Sequence, residues 1–144
     1  AIYISNAQHD EHDMIEDFIH EIAHSIEHLF DDLVYADGKI IREFLGKRKK
    51  LYYFLKSNGL NPPDTIQTNA NFDHNIDDYF YNQVGYAKMA SLISGLFLSP
   101  YSCTSVREYF ATGLQEYVQG DKKYLKKTCP FLFIKLENIF NLEY

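Results

Sequence analysis

Between residues 13 and 35 the apolar positions Ile15, Phe18, Ile19, Ile22, Ile26, Leu29 and Leu33 recur every three or four residues. That spacing predicts a helix. Asp13 with Glu16 resembles a capping pair at its start. Gly38 lies just past its end, where a helix stop is favoured. Upstream, "AIYIS" carries β-branched and aromatic residues without a helical period, which predicts a short edge strand. A second helix is predicted over 39–57. The Gly, Pro-Pro and Asn cluster of "NGLNPPDTIQTNANFDHN" then predicts a loop. A third helix, with the most continuous apolar face, is predicted over 76–98, and "SPYSCTS" interrupts the pattern. A fourth follows over 105–118, with Val106, Phe110, Leu114 and Tyr117 on its buried side. A last turn or two begins at Pro130. The pattern predicts one α+β domain, mainly helical, spanning 1–144. Its parts are a strand and first helix (1–37), a helical insertion (38–99) and a C-terminal helical part (100–144).

Composition and charge narrow the picture. The chain has 144 residues, 46% of them hydrophobic, enough for one folded core. Its net charge of −6 argues against nucleic acid as a partner. No apolar run approaches the roughly 20 residues that span a bilayer. Two cysteines, Cys103 and Cys129, do not make a disulfide framework, and either one bridge or free thiols fit. The chain begins without Met and opens directly on strand-like residues. That suggests a fragment or processed product of a larger polypeptide, with a secreted or virion-associated setting favoured over others. Charge is unevenly spread. Residues 10–37 hold ten of the twenty acids, while residues 39–57 hold seven of the fourteen cations. Mutual neutralisation of the first two helices is the simpler expectation. An acidic cleft preferring basic substrates is the other.

The candidate chemistry lies in "FIHEIAHSIEH", residues 18–28. On a helix turning about 100° per residue, His24 sits about 40° from His20, while the apolar residues cluster roughly 160–260° away. Both imidazoles therefore point away from the expected core face and within reach of one cation. Glu21 is about 100° round, placed to touch a water and act as general base rather than as a third ligand. His28 repeats the four-residue spacing, but Ser25 follows His24, so no base accompanies that second pair. Phe30 occupies the position where a longer metzincin pattern needs histidine. Glu43 stands near the distance of a thermolysin-type third ligand but within a basic helix. Glu108, on the polar side of the fourth helix with Thr112 and Gln115, is the better third ligand.

"HEIAH", followed by "EYFATGLQEYV" and "LKKTCPFLFIKLENI", resembles the catalytic domain of anthrax lethal factor and the related Pro-Pro endopeptidases. In that family a Tyr precedes by seven residues the Glu that opens an aromatic-rich helix. Tyr101 and Glu108 have this separation, and "EYFA" matches. The resemblance covers the first helix and the last 44 residues, while 39–95 does not align. It implies a zincin-like fold, here without part of the N-terminal subdomain, and a zinc-dependent endopeptidase of toxin type acting on protein or peptide substrates. His20, His24 and Glu108 would hold Zn2+. Glu21 would activate the water, and Tyr101 would donate its phenol to the developing oxyanion. "AIYIS" would be the edge along which an extended substrate pairs. One position departs from the family: its second helix Glu, which supports a ligand imidazole, is Thr112 here. Asp17 is a candidate substitute, and His28 a further supporting residue. Thr112 lends weight to an alternative, a weak or inactive zincin-like domain with a structural or binding role in a larger toxin or virion protein. A helical interaction domain with surface histidines is the plainest alternative.

Overall fold

The computed structural model describes residues 11–142, apart from the side chain of His12. The described chain is mainly helical, and none of it forms a strand. The expected strand at 1–5 lies outside the described residues, as does any part for it in substrate pairing.

Helix α1 (Glu11–Leu29) is followed after one residue by the short α2 (Asp31–Tyr35). Together they cover the first predicted helix. Gly38 takes φ 72 immediately before α3 (Lys39–Ser57), a left-handed turn that suits a residue without Cβ. The predicted third helix is broken. It divides into α4 (His74–Asp78), a π-helical stretch (Tyr79–Val84) and α5 (Tyr86–Leu92). Gly85, at φ 85, ends the π-helical stretch and starts α5. Then come a 3-10 turn (Tyr101–Cys103), α6 (Val106–Gln119), α7 (Lys122–Thr128) and α8 (Pro130–Phe140). The sequence pattern left α7 unread because Leu125 is its only buried apolar residue. Its start is nevertheless capped by Asp121, which accepts hydrogen bonds from the backbone N–H groups of Lys123 and Tyr124.

Helix α6 is the axis of the domain, packing against α1, α3, α7 and α8. Its buried side carries Val106, Tyr109, Phe110, Gly113, Leu114 and Tyr117. Gly113 is required there, since a Cβ would stand 2.3 Å from a methyl of the fully buried Leu132 on α8. Glu43 of α3 joins three helices. It accepts from the Tyr109 hydroxyl at 2.7 Å and from the backbone N–H of Phe131 at 2.8 Å, capping α8. This engagement takes it out of consideration as a metal ligand.

One expectation about facing is corrected, and two acids of the first helical region find partners beyond α3. Glu27 and Asp37 pair with Arg107 and Lys135, on α6 and α8. Two cations of α3, Lys47 and Arg48, instead turn inward to backbone carbonyls. The buried face of α1 is also rotated from the apolar stripe. Ala23 and Glu27 are buried on it, whereas Ile15, Phe18 and Leu29 stay exposed. The physical reason is α6, whose first turn presents a carboxylate to the histidine side of α1, beside the small Ala23.

Candidate metal centre

The site is built from the first turn of α6 and the middle of α1. Ser105 caps α6, its hydroxyl accepting from the backbone N–H of Glu108 at 3.2 Å. Ser105 and Glu108 have the spacing of a capping box, in which the acid reaches back to the cap. Here the Glu108 side chain turns to α1 instead. One oxygen stands 2.8 Å from His20 Nε2, and the other 3.2 Å from His24 Nε2. The two imidazoles meet edge to face with centroids 5.0 Å apart. One ligand atom from each of His20, His24 and Glu108 lies within 4.8 Å of the other two. This is the one such group among the described residues.

The donor set fits a zinc ion. Two nitrogens and a carboxylate oxygen are the ligand types of catalytic zinc. Tetrahedral bonds near 2.0–2.1 Å put neighbouring ligand atoms roughly 3.3 Å apart. The two short separations, 2.8 and 3.2 Å, run to different oxygens of Glu108, and the three donors lie within 4.8 Å of one another, so the set would close around one ion by side-chain adjustment.

Electrostatics ties the three residues together. Burial works to raise Glu108, but the hydrogen bonds from His20 and His24 outweigh it and hold the carboxyl at about 2. Its position in the first turn of α6 adds the favourable end of the helix dipole. The Glu108 carboxylate, and after it Glu27, lifts His24 to about 10 against the opposing effect of burial. These two shifts define a pH window for the metal-free fold. The contribution of His24 is complete below about 6.5 and is lost as pH rises toward 10. That of Glu108 is complete above about 4.5 and is lost as pH falls toward 2. The melting temperature of chelator-treated protein should therefore be highest between about pH 4.5 and 6.5. In His24→Gln the alkaline decline should flatten. An unchanged alkaline limb in that variant would show that the His24–Glu108 pair does not stabilise the fold.

Tyr101 stands beside the histidines, its ring 5.9 Å from that of His20 and 47% exposed. Burial, then the Glu108 charge, pushes its phenol up to about 12. The 3-10 turn holding it is tightly tied. The Ser102 hydroxyl donates to Ser99 O at 2.7 Å, and Thr104 Oγ1 donates to Tyr101 O at 2.8 Å. A groove of about 230 Å³ beside His20 is lined by Glu16, Asp17, Tyr101 and Gln115. Glu21 is half-buried on α1, and its charge reaches the Tyr101 phenol.

The remaining candidates divide. Asp17 shares the groove with His20. Thr112 is half-buried on α6, and its hydroxyl makes no hydrogen bond among the described residues. His28 is exposed at the α1–α2 junction beside Leu29 and Phe30, apart from the His20–His24–Glu108 group. Cys103 and Cys129 are buried and unbridged. The pattern of the chain puts Glu27 near the metal face, together with Asp13, Asp17 and Asp31, but gives it no partner and no role. It is 2% exposed, accepts a hydrogen bond from the Tyr35 hydroxyl, and has Arg107 Nη1 at 3.9 Å and His24 Nδ1 at 4.0 Å. The signal that could have shown its role is its place three residues after His24, on the same helix face.

Compared with known proteins, the chain matches no family model, no curated protein and no solved structure. The reading of the site rests on its own geometry and on the motif resemblance.

Proposed function

We propose that this chain is the catalytic domain of a zinc-dependent endopeptidase of zincin type. The single observation carrying the reading is the convergence of Glu108 on His20 and His24 across 88 residues of sequence. His20, His24 and Glu108 would hold the metal. Zinc in such a site polarises a carbonyl and makes water acidic enough to attack near neutral pH. Glu21, one residue after His20, takes the proton of the attacking water and returns it to the leaving amine. Tyr101 donates its hydroxyl to the carbonyl oxygen as negative charge develops there.

The zinc content of purified protein and its action on a peptide library test the proposal together. One zinc per chain is expected, with cleavage abolished by a chelator and restored by added zinc. Thr112, which makes no hydrogen bond among the described residues where the resembled family has Glu, favours a second reading: a zinc-holding domain without turnover. Bound zinc with no cleavage of any library would support that reading. Absence of binding would leave the three residues as an ion-paired clasp between α1 and α6.

A further inference from the structure

We infer that Glu27 is the positioning residue of this site, fixing the His24 ring so that Nε2 is free to ligate. The inference rests on the metal-site reading and supplies what Thr112 does not. His24 turns Nε2 toward Glu108 at 3.2 Å. For that nitrogen to offer its lone pair to a cation, the ring proton must reside on Nδ1. Nδ1 faces Glu27 Oε1 at 4.0 Å, the outer edge of ion-pair range. Once a cation takes the place of the Nε2 proton and engages Glu108, an acceptor-only carboxylate at Nδ1 holds the remaining ring proton there and makes the imidazole a stronger ligand.

Glu27 is built for a fixed role rather than left on the surface. Only 2% of it is exposed, and a buried carboxylate is costly unless partnered. Its partners come from two other elements. Tyr35 of α2 donates a hydroxyl to Oε2, and Arg107 of α6 stands 3.9 Å from Oε1. Arg107 directly precedes the ligand Glu108, so one cluster registers α1 against the turn of α6 that supplies the third ligand. The other supporting candidates are less well placed. His28 is exposed away from the site, Thr112 makes no hydrogen bond among the described residues, and Asp17 lies along the groove on the His20 side.

The test compares wild type, Glu27→Gln and Tyr35→Phe. Zinc dissociation constants come from competition with a chromophoric chelator. Long-range 1H–15N correlation spectra of the zinc-loaded proteins report the His24 ring tautomer. Wild type should bind zinc with His24 protonated at Nδ1. Glu27→Gln should bind about 10- to 100-fold more weakly, with a shifted His24 Nδ1 resonance. Tyr35→Phe, which loosens Glu27 without touching a ligand, should lose several-fold and shift the same resonance. If Glu27→Gln does not fold, Tyr35→Phe decides alone. Wild-type zinc binding with affinity and His24 signals unchanged in the folded variants overturns the role of Glu27 and leaves the metal site standing. Failure of the wild type itself to bind zinc overturns the metal-site reading, and this inference with it.

Discussion

Glu21→Gln should lower the turnover of a cleaved peptide by on the order of 10³-fold while leaving zinc binding within a few-fold of wild type. Gln keeps the shape of Glu but cannot take up a proton, so the variant removes one chemical capacity and little else. The two readouts separate because Glu21 lies outside the group formed by His20, His24 and Glu108. The loss should appear in kcat and kcat/KM alike, since proton transfer belongs to the transition state rather than to substrate binding. Kinetics on a peptide recovered from the library digest, paired with metal analysis of the same sample, measures both. Turnover at the wild-type rate would remove Glu21 from the mechanism. Loss of zinc along with turnover would instead make it a structural support for the ligands.

Arg48→Met should destabilise the fold by about 3–5 kcal/mol. Arg48 is fully buried and donates to four backbone carbonyls: Cys103 at 2.6 Å, Thr104 at 2.8 Å, Ile66 at 3.0 Å and Asn69 at 3.3 Å. Its guanidinium lies 4.7 Å from the Phe44 ring centre and 5.6 Å from that of Phe80. Burial lowers its pKa to about 10, so it remains charged at neutral pH. Removing a buried charge relieves a desolvation cost, and Met fills much of the aromatic slot. Against that, four carbonyls lose a charged donor, and each buried acceptor left unpaired costs about 1–3 kcal/mol. The second effect is larger. Urea titration should show it, with a fall in melting temperature on the order of 10 °C or more. A loss below about 1 kcal/mol would mean that water replaces the guanidinium. Zinc affinity should fall as well, because Cys103 and Thr104 lie between Tyr101 and Glu108 in the chain.

The sequence made some of this visible and hid the rest for physical reasons. The helices at 39–57 and 105–118 were readable because Ile40, Phe44, Leu51 and Leu55, and again Val106, Phe110 and Leu114, bury one stripe of each. The stretch at 76–98 misled, because its continuous apolar content satisfies a π-helical turn and two short helices as well as one long helix. On α1 the stripe gave the helix but not its facing, which is set by a carboxylate arriving from α6. The proposed ligand set could be read because a spacing of four puts two imidazoles on one helix face and the motif order points to a distant carboxylate. The place of Glu27 near the metal face was legible too, but its burial and that of Arg48 were not, because a Glu in an acidic helix and an Arg in a basic one are normally solvated. What distinguishes them is Tyr35 and Arg107 in one case and four carbonyls in the other, all supplied by the folded chain.

The small residue at position 23 carries a consequence of its own. Since Ala23 lets the two ligand-bearing helices approach closely, an occupied site would act as a rivet through their shared seam. Fitness for chemistry and resistance to prying apart would then rise and fall with a single occupant.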